Sequence, residues 1–223
     1  MSEARLRRLG LLGDVHTEDR TLAAALAFLE ASGLDAIACT GDVADGGGDI
    51  DRTCALLSRH EVLTVSGNHD RWALTGELTS LADATRELLP ESRDYLASLP
   101  STILFSTVRG GALLCHGVGE DDMAVLKPDT SGYALGAIPE LRELMLDPEV
   151  QYMLGGHTHR AMVRQFMGVT VVNAGTLHRA YSPSFCVIDF EAEEVARYLC
   201  DADGVRLAHT EPLLRPAELP EAS

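Results

Sequence analysis

Over the first 65 residues, short apolar runs alternate with helix-like spacing, and each run ends in polar residues beside a glycine. Residues 5–13, with Leu6, Leu9, Leu11 and Leu12, predict a first strand ending in Gly13-Asp14-Val15-His16. Thr17 or Asp19 then offers an N-cap for a helix over about 21–32, rich in Ala and Leu and stopped by Gly33. Residues 34–39 form a second run, ending in Thr40-Gly41-Asp42. Gly46, Gly47 and Gly48 predict a flexible loop, and Asp49 or Asp51 can cap a helix that reaches about Arg59. Residues 62–65 predict the third strand, which delivers Gly67-Asn68-His69-Asp70.

The spacing over 71–99 is helical, broken at Pro90 and ended by Pro100. Residues 103–105 and 112–115 predict a strand pair turned at Gly110-Gly111, the second strand ending in His116-Gly117. Residues 119–139 are polar and lack a period; loops this long in compact domains are often functional. A short helix over 139–146 has Pro at its first turn. Residues 150–154 predict a strand leading into Gly155-Gly156-His157-Thr158-His159. Runs at 162–166, 169–173, 185–190 and 195–199 make the last part strand-rich, with turns at Gly168 and Pro183. A strand–helix first half and a strand-rich second half predict an α/β fold of two sheets, each flanked by helix. Residues 1–210 read as one domain, and 211–223, with three prolines, as a loose tail.

Composition narrows the function. At 223 residues and 46% hydrophobic the chain can bury a substantial core. It has no uninterrupted apolar run near the roughly 20 residues of a membrane helix. The basic start, residues 1–8, leads into an apolar run too short for a signal peptide and interrupted at Gly13, so a cytoplasmic protein is expected. Five scattered cysteines without a Cys-x-x-Cys pair make neither a disulfide framework nor a thiolate zinc site. A formal charge of −16 disfavours broad binding to nucleic acid or to an anionic membrane. An anionic substrate would need local attraction, which bound cations provide.

Five runs end in clusters that suit this: Asp14 and His16; Asp42; Asn68 and His69; His116; His157 and His159. In α/β proteins ligands bind beyond the carboxyl ends of strands, so the clusters can converge. Asp14 and His16 are two apart, as are His157 and His159, which in extended backbone puts each pair on one side. Carboxylates, an amide oxygen and imidazoles without thiolate suit Mn2+, Fe2+, Co2+, Ni2+ or Zn2+. The set exceeds one ion's needs and matches a pair about 3.5–4 Å apart with a bridging carboxylate.

The order Asp14-x-His16, Gly41-Asp42, Gly67-Asn68-His69-Asp70, His116, Gly156-His157-x-His159 resembles the calcineurin-like metallophosphoesterases, and Asn173-Ala174-Gly175-Thr176 resembles the turn that follows in small bacterial members. The resemblance implies a four-layer α/β/β/α sandwich. It implies one metal on Asp14, His16 and His159, another on Asn68, His116 and His157, and Asp42 bridging both. Mn2+ is the foremost expectation, with Fe, Ni, Co or Zn as alternatives. It makes His69 the catalytic acid and Asp70 its partner. The implied reaction is hydrolysis of a small phosphate ester by a hydroxide between the two ions. A phosphodiesterase is favoured because small bacterial members often act so, with a phosphomonoesterase or protein phosphatase as the alternative. A non-catalytic metal-binding scaffold is the reading from another class. His60, His178 and His209 lie outside the motifs and are expected at the surface; His178 and Arg179, after the Asn173 turn, or Arg71, could reach the pocket.

Overall fold

Leu9 and Leu11 are fully buried in one core of the protein and Leu12 in another, so the first strand is covered on both faces. That alternation explains why the strands of this chain read as nearly continuous apolar runs. The computed structural model describes residues 5–77 and 81–215. In chain order the elements are β1 (Arg8–Leu12), α1 (Asp19–Glu30), β2 (Ala36–Cys39), α2 (Ile50–Arg59), β3 (Leu63–Thr64), α3 (Asn68–Thr75) and α4 (Pro90–Ser98). Then follow β4 (Thr102–Thr107), β5 (Gly110–Cys115), α5 (Tyr133–Gly136), α6 (Pro139–Leu146), β6 (Tyr152–Gly155) and β7 (Met162–Gln165). The chain continues through β8 (Thr170–Asn173), β9 (Ser184–Asp189), β10 (Glu194–Asp201) and β11 (Gly204–Pro212).

Two mixed sheets result. One runs β11-β10-β9-β1-β2-β3, with β1, β2 and β3 parallel; the other runs β4-β5-β6-β8-β7, with β5, β6 and β8 parallel. Leu9, Leu11, Ala38, Leu114, Tyr152, Leu154, Val172 and Ile188 pack between the sheets. Leu22, Leu26 and Leu29 of α1, Leu57 of α2 and Leu96 of α4 cover the outer face of the larger sheet, against Leu12, Phe185 and Val187. Leu141 and Leu144 of α6 cover the smaller sheet over Met153, Val169 and Val171. The layers are therefore α/β/β/α, as the resemblance implies. Among the described residues no helix is long and apolar enough to cross a membrane. All five cysteines are buried and free.

Several local expectations differ from what forms. α1 begins at Asp19 with Glu18 before it and no side-chain cap, so neither Thr17 nor Asp19 caps it, whereas Asp49 does cap α2 by accepting the Arg52 N–H at 3.0 Å. The helix expected over 71–99 is two helices: α3 starts earlier and ends where Gly76 turns left-handed (φ 77°), and Pro90 opens α4 rather than breaking it. The hairpin between β4 and β5 turns at Val108-Arg109, and Gly110 and Gly111 lie within β5. β11 was not expected, and Leu213 beyond it is buried, so the chain stays packed past Glu211; 216–223 lie outside the described residues.

Candidate metal centre

The loops leaving β1, β2, β3, β5 and β6 meet in one place. Asp14, His16, Asp42 and His159 each offer a ligand atom, and these atoms all lie within 4.8 Å of one another. Asp42, His116 and His157 form a second such group. Asn68, the first residue of α3, joins it: its Oδ1 is 3.0 Å from His116 Nε2 and 3.0 Å from His157 Nδ1. Asp42 belongs to both groups, its Oδ2 lying 3.7 Å from His16 Nε2 in one and 3.3 Å from His116 Nε2 in the other. All seven ligand candidates are brought together.

They do not converge through extended backbone. His16 (φ 47°), Asp42 (φ 46°), Asp45 (φ 59°), His157 (φ 63°) and His159 (φ 56°) are left-handed, as is Thr17 (φ 56°). Among the described non-glycine residues only Glu61 and Glu193 share that conformation elsewhere. Such residues cost of order 1–3 kcal/mol each and cluster where function demands them. Glycines make room for the carboxylates. A Cβ at Gly67 would stand 2.2 Å from Asp42 Oδ1, and one at Gly156 would stand 2.2 Å from Asp14 Oδ1. The three glycines expected to form a flexible loop instead pack tightly. A Cβ at Gly46 would meet the His16 carbonyl oxygen at 2.0 Å, and one at Gly48 the Thr17 carbonyl oxygen at 1.8 Å.

The hydrogen bonds show what the cluster lacks. His16 Nδ1 is 2.7 Å from the Asp45 carbonyl oxygen, and His116 Nδ1 is 2.8 Å from that of Thr40. A carbonyl oxygen only accepts, so each Nδ1 donates, and in the neutral ring Nε2 is a bare lone pair. The His116 lone pair faces the acceptor Asn68 Oδ1 at 3.0 Å, and the His16 lone pair lies 3.0 Å from His159 Nε2, with at most one proton between that pair. Asp14 Oδ2 is fully buried, 3.1 Å from His159 Nε2, and has no hydrogen bond. Electron-rich atoms this close repel unless positive charge lies among them. Without a cation the protein must find it in protons. Burial works against a charged His116, but the Asp42 and Asp14 carboxylates push it up to about 10. Burial likewise raises Asp42, yet His116 and the other imidazoles hold it well below the usual carboxylate range. Imidazoles tied at the far nitrogen to backbone carbonyls, with carboxylates and an amide oxygen, fit divalent cations.

His69 stands beside this cluster. Its N–H donates to Asp42 Oδ1 at 2.9 Å, and its ring lies edge-on to His16 and Trp72, with centroids 4.9 and 4.7 Å apart. Its Nδ1 pairs with Asp45 Oδ2 at 2.8 Å, not with Asp70. Asp45 is fixed in turn, since its Oδ1 accepts the Thr85 N–H at 2.7 Å. Burial lowers the His69 pKa, but the Asp45 hydrogen bond and the nearby carboxylates raise it on balance. In the sequence Asp45 is marked only as a second carboxylate three residues beyond Asp42, followed by Gly46.

Asp70 has another task. Fully buried, it accepts the N–H groups of Val43 and Ala44 at 2.8 and 2.9 Å through Oδ1 and that of Gly67 at 2.9 Å through Oδ2. It thereby ties the Asp42 loop to the start of α3. Burial and the nearby Asp42 push it up to about 7, while the backbone donors pull the other way. Asp70→Ala leaves three buried N–H groups unpaired, each worth about 1–3 kcal/mol. A stability loss of about 3 kcal/mol or more is expected, read as a lower urea midpoint at constant slope.

The family model for the calcineurin-like phosphoesterase superfamily domain matches residues 8–193. The chain belongs to that superfamily. No curated protein matches this calcineurin-like phosphoesterase. Its fold is similar to a metallophosphoesterase from Sphaerobacter thermophilus (21% identity, 88% of this chain and 89% of that one, TM-score 0.65). It is similar also to an archaeal phosphodiesterase (12% identity, 86% and 99%, TM-score 0.56) and to Vps29 complexed with zinc from Entamoeba histolytica (17% identity, 93% and 99%, TM-score 0.54). At these identities the likeness is one of fold.

Arg71 is held by Asp122, through Nε at 2.9 Å and a second nitrogen at 3.1 Å. Arg179 is held by the buried Glu18 at 2.7 and 3.0 Å. His60 pairs with Glu30, and His209 is exposed. His178 is not a simple surface residue: its ring lies edge-on to His16, centroids 5.1 Å apart.

Proposed function

We propose that this chain is a cytoplasmic hydrolase of small phosphodiesters that works with two divalent cations, Mn2+ foremost. Asp14, His16 and His159 would hold one, Asn68, His116 and His157 the other, and Asp42 both. The observation that carries this reading is the position of Asp42 Oδ2 within reach of both ligand groups. Cations bound there supply an acidified water as nucleophile and polarise the phosphoryl oxygens. The chain's own residues do the rest. Protonated His69 gives its proton to the departing alkoxide, Asp45 keeps that imidazole charged and aimed, and Asp70 holds the two loops in register.

The diester preference draws on the archaeal phosphodiesterase of the same fold. It draws also on a cavity of about 370 Å3 bordering His116 and lined by Ser66, Arg71, Ser101, Glu120 and Asp122, which offers room for a second ester arm. The purified, Mn2+-loaded protein is expected to turn over a bis-aryl phosphate; turnover of the mono-aryl phosphate alone would overturn the preference. A non-catalytic scaffold role would leave the His69–Asp45 pair without a task.

A further inference from the structure

His178 lies against the His16 and His159 side of the ligand cluster. Its ring is edge-on to His16, and it stacks on His159 with centroids 6.2 Å apart. Two features set it apart from those ligand candidates. First, its Nδ1 accepts the backbone N–H of Ala180 at 3.1 Å. A nitrogen that accepts carries no proton, so in the neutral ring the proton sits on Nε2. Nε2–H has no protein partner among the described residues. A ring of this tautomer has no lone pair left for a metal, whereas His16 and His116, with protonated Nδ1, present theirs.

Second, the turn that carries His178 is pinned at several points. The His178 N–H donates to Thr176 Oγ1 at 3.0 Å, and that hydroxyl donates to the Asp14 carbonyl oxygen at 2.8 Å. The next residue, Arg179, gives its backbone N–H to Glu18 at 2.9 Å, and the Tyr181 N–H donates to the His178 carbonyl oxygen at 3.0 Å. The edge of the Tyr181 ring lies on His159, centroids 4.7 Å apart. The imidazole is thus built onto the backbone of Asp14 itself. A donor fixed this way needs no reorganisation when an anion arrives.

We propose that His178 is a substrate-binding residue: a neutral Nε2–H donor to a phosphoryl oxygen of the ester held at the Asp14–His16–His159 group. This rests on the phosphodiesterase reading above. A neutral donor suits the place, because it adds direction without adding charge beside cations.

The test uses the full chain loaded with Mn2+, with inorganic phosphate as the probe. Metal content and Mn2+ affinity are measured first, then phosphate affinity by calorimetry, then kcat and KM on a bis-aryl phosphate. His178→Ala is expected to keep the wild-type Mn2+ stoichiometry while phosphate binding weakens by about 10- to 100-fold, the worth of a hydrogen bond to a charged group. His178→Gln, whose amide keeps an N–H donor, is expected to recover part of that loss. Wild-type phosphate affinity in His178→Ala overturns the proposal, as does loss of one Mn2+ per chain, which would make His178 a ligand. If the wild-type protein itself binds no Mn2+ and turns over no ester, the reading beneath fails and the proposal falls with it. If the wild type does both and His178→Ala matches it throughout, the proposal alone fails.

Discussion

Replacing Asp42 by Asn is expected to weaken divalent-cation binding by more than about 100-fold and to abolish ester turnover at Mn2+ concentrations that saturate the wild type. The magnitude follows from what Asp42 does. Partners that merely orient metal ligands cost about 10–100-fold when changed. Asp42 Oδ2 reaches both ligand groups, so both are affected by one substitution. Asparagine is the informative replacement. Asp42 is left-handed (φ 46°), a conformation Asn adopts more readily than Ala, and the amide oxygen can still accept the His69 N–H. The fold should survive while the shared negative charge is lost. Cation binding to the native state alone raises stability, by about 2.7 kcal/mol at a hundred times the dissociation constant. Wild-type protein should therefore melt at higher temperature when Mn2+ is added, and Asp42→Asn should not over the same range. Equal thermal shifts in the two proteins would remove Asp42 from the centre.

Much of this geometry is legible in the chain, and the parts that are not share a cause. The convergence of Asp14, Asp42, His116 and His157 follows from local rules: an apolar run, a glycine, and a polar residue at a strand's carboxyl end. The two-sheet architecture follows from the change in pattern between the halves. What local rules cannot decide is which neighbour a polar side chain turns to. Asp70 is next to His69 in sequence, but in the first turn of α3 its carboxylate points back to the Gly67 N–H and across to Val43 and Ala44. Asp45 is 24 residues from His69 and reaches it because β2 and β3 are parallel neighbours. Likewise β11 is an edge strand, exposed along most of its length, so it lacks the apolar alternation that marks its neighbours. His178 reads as a surface histidine until the turn after β8 folds it onto His16.

His69→Ala should separate chemistry from metal binding. Turnover is expected to fall by about 10²–10⁴-fold, the usual worth of general acid assistance, with Mn2+ content unchanged. Metal retention is expected because neither ligand group includes His69, whose contact with Asp42 runs through its backbone N–H and survives truncation. The loss should depend on the leaving group: large for an alkyl alcohol, which needs the proton, and small for a nitrophenol, which departs readily as an anion. Asp45→Asn grades the same effect. The carboxylate keeps the His69 pKa raised, so the ring stays protonated to higher pH than it otherwise would. With the carboxylate gone the imidazole loses its proton sooner, and the alkaline limb of the rate profile should move to lower pH, with a smaller loss of rate than His69→Ala at acidic pH. Loss of activity in His69→Ala that is equal for all leaving groups and accompanied by loss of Mn2+ would assign the residue to the metal centre. An unchanged alkaline limb in Asp45→Asn would mean that another group carries the proton.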